Sequence, residues 1–105
     1  MTDAADKTTA LLAVLWVKNR PIIEERLATL DGAAVAAAAG ALSDEQRGAA
    51  NSTAHKLAGA LGMYGYDEGT RIARELETML SESNPDAARF GALIAELRAV
   101  IFPAA

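Results

Sequence analysis

Apolar residues recur every three or four positions over most of this sequence, and that spacing limits the fold to packed helices. No segment alternates apolar and polar residues as a half-buried strand would. Proline occurs only at positions 21, 85 and 103, and alanine is abundant, which is a usage typical of helices. The pattern predicts five helices. The first two cover residues 6–18 and about 20–39, and the third begins at Ser43. The fourth runs from Asp67 to about Ser83, and the fifth follows the break at 84–86.

Three local signals set the predicted helix limits. The segment 19–21 should separate the first two helices, because Pro21 is tolerated in a first helical turn and is disruptive later. Ser43, with Gln46 three residues later, forms a capping box that begins the third helix. Asp67 follows a glycine turn and is the expected N-cap of the fourth helix.

Each predicted helix carries an apolar stripe that can face a common core. Four long helices with short connections predict an all-α protein with a single domain over residues 1–105. The expected architecture is an antiparallel four-helix bundle, up-down-up-down, with the short first helix as an additional N-terminal element. The inward positions are Leu11, Leu12, Leu15 and Trp16; then Ile23, Leu27, Leu30, Ala34 and Ala37; then Ala50, Ala54, Leu57 and Leu61; then Gly69, Ile72, Ala73, Leu76 and Leu80; and finally Phe90, Leu93, Ile94, Leu97 and Ile101.

The composition excludes several classes of function. The chain has no cysteine, so it can form neither a disulfide framework nor a thiolate metal site, and it suits a reducing cytoplasm. The net charge is -4 and the ten Lys and Arg are scattered, which argues against nucleic-acid binding. No apolar run approaches the roughly 20 residues of a membrane span. We therefore expect a soluble, unanchored cytoplasmic protein, and a monomer, because no second apolar stripe is evident.

One helical face in the middle of the chain stands out. The only histidine, His55, shares this face with Gly48, Ser52, Gly59 and Gly62, at spacings of four, three, four and three. At about 100° per residue, the imidazole points roughly 130° from the centre of its helix's apolar stripe, so it should lie at the exposed margin. Each glycine inside a helix costs about 0.8–1.0 kcal/mol relative to alanine. The two glycines after His55 therefore either keep the imidazole accessible to a protein partner or allow close packing of helices.

A single exposed imidazole limits the possible chemistry. An isolated histidine is most often an ordinary surface or core residue. A metal site needs further ligands, and the sequence has no second histidine and no cysteine. No nucleophile elbow is present for acyl transfer. The imidazole can accept a group covalently or move a proton, and phosphoryl acceptance requires only that.

The opposing helix offers a partner for this imidazole. If the turn is centred on Tyr66, antiparallel pairing places Glu77 level with His55, because each lies eleven positions from the centre. A carboxylate that accepts the Nδ1 proton would fix the tautomer and leave Nε2 as the nucleophile. Alternatively Glu77 is a solvated surface residue, paired with Arg74 or Arg71.

Two basic residues on the same helix could support a phosphoryl group. Lys56 and Arg47 lie near His55 in sequence. Lys56 points about 100° away from His55 on the helix, so it can equally be a solubilising surface residue.

The residues around His55 resemble the signature of histidine-containing phosphotransfer (HPt) domains, four-helix modules of multistep phosphorelays. The resemblance covers residues 54–62, AHKLAGALG, followed by Gly65, Ala73 and Glu77. It is closest to HPt domains at the N-terminus of multidomain response regulators. It implies that His55 is phosphorylated and that Glu77 can hold the imidazole.

The same resemblance implies where a partner binds. Gly59 matches the small residue that keeps the histidine accessible to receiver domains, and Gly62, Ser52 and Ala58 would complete the docking surface. The family often has a lysine three residues after the histidine, where this chain has Ala58. Lys56 would replace that charge only in part.

The function implied is that of a phosphoryl carrier. His55 would accept a phosphoryl group from a receiver-domain aspartate and pass it to another receiver, with a receiver domain, a hybrid histidine kinase or both as partners. The sequence has no glycine-rich nucleotide loop, so we expect no kinase activity of its own and no cofactor beyond Mg²⁺ on the receiver. The alternatives are a phosphoacceptor module of a chemotaxis-type kinase and a helical adapter that binds receivers without phosphotransfer.

Overall fold

The structure is a computed structural model that describes the backbone of residues 4–102 and the side chains of residues 7–102. Within that range it contains helices and no strand, which confirms the all-α prediction. The four helices are α1 (Ala4–Ala38), α2 (Asp44–Met63), α3 (Asp67–Leu80) and α4 (Ala87–Ile101). The predicted domain limits at residues 1 and 105 lie outside the described residues.

The first helix is continuous, so the predicted break at residues 19–21 is wrong. α1 contains Pro21 in its interior, and the separate short N-terminal helix is the first half of this 35-residue element. Proline removes one backbone hydrogen bond from a helix interior and costs about 3 kcal/mol. That cost led to the predicted break.

Contacts on both sides of Pro21 explain why α1 continues through it. Upstream, the ring of Trp16 packs 4.8 Å, centroid to centroid, from that of Tyr66. Downstream, Ile23 and Leu27 are buried in the core. Burial of apolar side chains of this size contributes about 1.5–3 kcal/mol each, which offsets the lost hydrogen bond.

The N-terminal ends of α2 and α3 are formed in different ways. Ser43 caps α2 as predicted, since its side chain accepts a hydrogen bond from the backbone N–H of Gln46 at 3.0 Å. Asp67 is not the N-cap of α3 but its first residue; Tyr66 occupies the cap position without a side-chain hydrogen bond. The backbone N–H of Tyr66 donates instead to the carbonyl of Leu61 at 2.9 Å, which satisfies a carbonyl at the end of α2. Asp67 instead places negative charge in the first turn of α3, where the helix dipole favours it.

The helices pack into a ring around one core. Each helix contacts its neighbours in the chain, and α4 closes the ring by packing against α1. The apolar stripes predicted for α2, α3 and α4 are all buried. In α1 the C-terminal end of the buried stripe differs from the prediction. Ala33 is buried, whereas the predicted Ala34 and Ala37 are half-buried at the edge of the core.

The N-terminal half of α1 carries apolar residues that the core does not cover. Leu11, predicted to face inward, is 58% exposed, and Val14 and Val17 are more exposed still. These three residues form a second, exposed apolar stripe. The expectation of a monomer depended on the absence of such a stripe, so that argument no longer holds. None of the helices in residues 4–102 combines the length and apolar character that crossing a membrane requires.

Candidate functional site

His55 lies on α2, at the edge of the surface that this helix buries. The core-facing residues of α2 on either side of it, Ala54 and Leu57, are fully buried. The side chain of His55 itself is 74% exposed. The helical spacing therefore placed the imidazole correctly, at an exposed margin next to the core.

The imidazole of His55 is held by a carboxylate on α3. Nδ1 of His55 lies 2.8 Å from Oε2 of Glu77, whose side chain is 32% exposed. This is the contact expected from the register, with both residues eleven positions from Tyr66. Because an ionised carboxylate can only accept a hydrogen bond, Nδ1 donates the proton in this contact, and in the neutral form of the ring the lone pair is therefore on Nε2.

The backbone of Glu77 is fixed from the helix that carries the histidine. The side-chain amide of Asn51, one turn before His55, donates to the carbonyl oxygen of Glu77 at 2.6 Å. One turn further back, Nη1 of Arg47 donates to the carbonyl of Leu80 at 3.0 Å, satisfying a carbonyl at the end of α3. Both contacts cross from α2 to α3.

These two contacts were not predicted from the sequence. Arg47 was considered as a charge for the phosphoryl group, but its guanidinium serves the end of α3 and also contacts Asp44. The available signal was the spacing: Arg47, Asn51 and His55 follow one another at intervals of four and so lie along one edge of α2. Long polar side chains at such an edge can reach the backbone of the neighbouring helix.

A third contact joins the other ends of the two helices. The hydroxyl of Thr70 donates to the carbonyl of Ala58 at 3.1 Å. Positions joined between the helices rise along α2, at 47, 51 and 58, as they fall along α3, at 80, 77 and 70. The two helices around the site are therefore antiparallel.

The glycines after His55 differ in their surroundings. A Cβ atom added to Gly59 would meet nothing within 4 Å, so this position opens to solvent and is not needed for close packing. A Cβ atom at Gly62 would lie 3.4 Å from the hydroxyl oxygen of Thr70, at the contact with α3. Of the two interpretations left open by the sequence, accessibility fits Gly59, whereas at Gly62 an added Cβ atom would make only an ordinary van der Waals contact with α3.

The remaining predicted site residues are placed apart from one another. Ser52 and Lys56 are exposed on α2. Ala58 is only 4% exposed, so it offers little surface to a partner; its methyl group packs against the core. It can contribute to docking only through the wall of the groove described next.

A shallow groove of about 190 Å³ adjoins the imidazole. Lys56 is not among its lining residues, which are His55, Ala58, Gly59, Arg74 and Glu77. Arg74 was considered from the sequence only as an ion-pair partner of Glu77. The structure places it beside the histidine instead, and Glu77 pairs with His55.

The other suggested partner of Glu77, Arg71, belongs to a separate ion-pair network between α3 and α4. Its guanidinium contacts the carboxylates of Glu68, Glu75 and Glu96. The hydrogen bond from Arg71 lowers the pKa of Glu68, and the same contact raises the pKa of Arg71. Glu77 takes no part in this network.

The part of the chain that the structure describes has no group of three or more His, Cys, Asp or Glu residues able to hold a metal ion. The comparison with known families gives one match. The family model described as "Hpt domain" matches residues 22–101, a range that contains all of α2, α3 and α4, with both His55 and Glu77. No curated protein and no solved structure matches the chain significantly.

Proposed function

Because the chain belongs to the Hpt domain family, we propose that His55 accepts a phosphoryl group from the phospho-aspartate of a receiver domain and passes it to the aspartate of another receiver. Hpt domains are phosphocarrier modules of two-component phosphorelays and are not kinases; they interact with response-regulator receiver domains and histidine kinases. The family thus supplies the type of reaction. The proposal assigns the atom, the direction and the supporting residues.

The observation that carries the proposal is the contact between Nδ1 of His55 and the carboxylate of Glu77, 2.8 Å apart on an exposed surface. With the proton on Nδ1, Nε2 has a free lone pair and no partner among the residues whose side chains the structure describes. An exposed imidazole in the correct tautomer can act as a nucleophile toward a group brought by another protein.

The proposed transfer needs no proton to leave Nε2. Its lone pair attacks phosphorus, an N–P bond forms, and the P–O bond to the receiver aspartate breaks, which releases the aspartate as a carboxylate. The ring becomes positively charged while Nδ1–H stays hydrogen-bonded to Glu77, so the carboxylate stabilises the charge that develops. In the onward step a second aspartate carboxylate attacks phosphorus, and the N–P electron pair returns to Nε2.

The receiver docks, in this proposal, over the exposed part of α2 around His55. Gly59 opens to solvent there, and Ser52 and Gly62 are exposed on the same helix. Ala58 contributes through the groove wall only. We propose that Mg²⁺ bound by the receiver supplies most of the charge stabilisation that phosphoryl transfer demands.

We infer also that the four helices form the antiparallel up-down-up-down bundle expected from the sequence. The pairing of α2 with α3 supports this arrangement. In α3 and α4, Arg71 pairs with Glu96 and Arg89 with Glu75, so positions again rise in one helix as they fall in the other. Asp31 near the end of α1 pairs with Arg98, while Trp16 in its first half packs on Phe102.

The test is incubation with a phosphorylated receiver domain and detection of acid-labile label on this chain. Label is expected on the wild type and not on His55→Gln, and addition of a second, unphosphorylated receiver should remove it from the wild type. Equal label on both proteins would overturn the assignment of His55. Label that no receiver removes would overturn the proposed relay.

A further inference from the structure

We propose that Arg74 binds the phosphoryl group carried by His55, so that its guanidinium supplies in this chain the positive charge that Ala58 cannot. The inference rests on the proposed function and deepens it by naming the group that contacts the phosphoryl oxygens. Arg74 lines the same shallow groove as His55, Gly59 and Glu77.

The position of Arg74 on α3 follows from the register of the two helices. It lies three residues before Glu77, and residues three apart are neighbours on a helix surface. Since Glu77 contacts His55 directly, Arg74 is brought to the same side of the imidazole, displaced by one turn toward the turn that joins α2 and α3. That displacement brings it beside Gly59, which has no side chain to fill the space.

The pairing of charges also distinguishes Arg74. The neighbouring arginines of α3 and α4 are each engaged by a carboxylate: Arg71 by Glu68, Arg89 by Glu75 and Arg98 by Asp31. Arg74 has no carboxylate within 4.0 Å among the side chains that the structure describes, although Glu77 lines the same groove. Its guanidinium is therefore available to an anion from outside.

Charge balance explains why the groove needs this cation. With the imidazole in its neutral, nucleophilic form, the charges of Glu77 and Arg74 cancel before transfer. Afterwards the groove holds a phosphoryl group of about two negative charges, the Glu77 carboxylate and a positively charged ring. With Arg74 the sum is about one negative charge, and without it about two. Lys56, the other basic residue next to His55 in sequence, does not line the groove.

The chemical role of Arg74 is to hold the phosphoryl oxygens, and it makes and breaks no covalent bond. A guanidinium presents several N–H donors in a fixed plane and can bind two phosphoryl oxygens at once. This contact stabilises both the transferring group and the phosphohistidine product.

The experiment uses phosphoramidate, a small donor whose P–N bond breaks as the N–P bond to His55 forms and ammonia leaves. It phosphorylates without a receiver, so its outcome does not depend on docking. Initial rates are measured by intact mass for the wild type, Arg74→Gln and Arg74→Lys. His55→Gln gives the background, and Lys18→Gln is the matched control, since it removes one exposed positive charge from α1 that does not line the groove.

We expect Arg74→Gln to be phosphorylated about tenfold more slowly than the wild type, because a hydrogen bond to a charged group is lost at a partly solvated site. Arg74→Lys should stay within about threefold of the wild type, and Lys18→Gln should match it. Phosphorus NMR provides a readout that a purely structural role would not move. The last phosphoryl proton should titrate about half a pH unit higher in Arg74→Gln, because a neighbouring positive charge favours the dianion.

Wild-type rates and an unshifted phosphorus titration in Arg74→Gln would overturn the inference while leaving the proposed function intact. A wild type that phosphoramidate does not label would also count against it, because a groove that binds a phosphoryl group must accept one from a small donor. Conversely, the wild type could be labelled by phosphoramidate and not by any phosphorylated receiver. That result would overturn the proposed relay, and the comparison of the Arg74 variants would still test the role of Arg74.

Discussion

Asn51 on α2 donates a hydrogen bond to the main-chain carbonyl of Glu77 on α3, at 2.6 Å. The residue that orients His55 is thereby held through its backbone by the same helix that carries the histidine. The spacing between imidazole and carboxylate is fixed at two levels, one from side chain to side chain and one from side chain to backbone.

The contact made by Asn51 predicts a joint effect on stability and transfer. Asn51→Ala should lower the free energy of unfolding by about 1 kcal/mol, the usual net value of a hydrogen bond. It should also slow phosphoryl transfer several-fold, because Glu77 loses its backbone anchor. Urea denaturation and transfer from a labelled receiver measure the two effects. Thr53→Ala is the matched control, since the Thr53 hydroxyl donates within its own helix, to the carbonyl of Ala49. Equal effects of the two variants on stability and transfer would show that the contact from Asn51 to α3 has no specific role.

Removal of the carboxylate that holds the imidazole should change its tautomer. In Glu77→Ala no carboxylate accepts the Nδ1 proton. Part of the His55 population should therefore carry the proton on Nε2, where the nucleophilic lone pair is then lost. Nitrogen NMR of the ring reports the tautomer directly, and the transfer rate should fall with the fraction of Nδ1–H. Unchanged ring signals in this variant would mean that the contact does not exist in solution.

The open space at Gly59 predicts that a large side chain there is tolerated by the fold and blocks the partner. Gly59→Leu should stabilise α2 by up to about 1 kcal/mol, because glycine is unfavourable inside a helix. Transfer from a receiver should be lost, whereas phosphoramidate should still label His55 to some extent. Gly91→Leu, on α4 and equally open, is the matched control. Normal receiver transfer in Gly59→Leu would refute the accessibility argument.

The position of Pro21 inside α1 predicts a stabilising substitution. Pro21→Ala should restore the hydrogen bond to the carbonyl of Val17 and raise the free energy of unfolding by about 1–3 kcal/mol. Pro85→Ala is the contrasting variant, because Pro85 lies between α3 and α4. Its replacement there only increases the conformational entropy of the unfolded chain, which lowers the free energy of unfolding. Urea midpoints compare the two. A destabilised Pro21→Ala would show that the proline itself shapes α1.

The ion pair between Glu68 and Arg71 predicts a pH dependence with a definite sign. The pKa of Glu68 is lowered, chiefly by the hydrogen bond from Arg71, so its ionised form stabilises the folded state. That contribution is present above the ordinary value of about 4.5 and is lost as pH falls through the lowered pKa. The wild type and Glu68→Gln should therefore differ in urea midpoint at pH 6 and converge in acid, below the lowered pKa of Glu68. The difference at pH 6 should be smaller at high salt, because both groups are exposed. A difference that persists in acid would point to another cause.

The sequence predicted best where one spacing rule decides the outcome. The stripes of α2, α3 and α4 are buried as predicted, and counting from Tyr66 placed Glu77 opposite His55. Such features depend on helical periodicity and on a short turn, both of which are local.

What the sequence did not predict depends on contacts between distant residues. The continuity of α1 through Pro21 depends on Trp16 packing against Tyr66, fifty positions away. The use of Arg47 and Asn51 as anchors for α3 depends on how closely the two backbones approach. The location of Arg74 beside His55 required the rotation of α3 about its axis as well as its register.

The contact between Glu77 and Nδ1 has one more consequence. The ring atom that Glu77 contacts is not the one that reacts in the proposed transfer, so this contact need not break when a phosphoryl group arrives or leaves. A carrier of the proposed kind can transfer in either direction, and the phosphorylation levels and abundance of its partners then decide which way the signal flows.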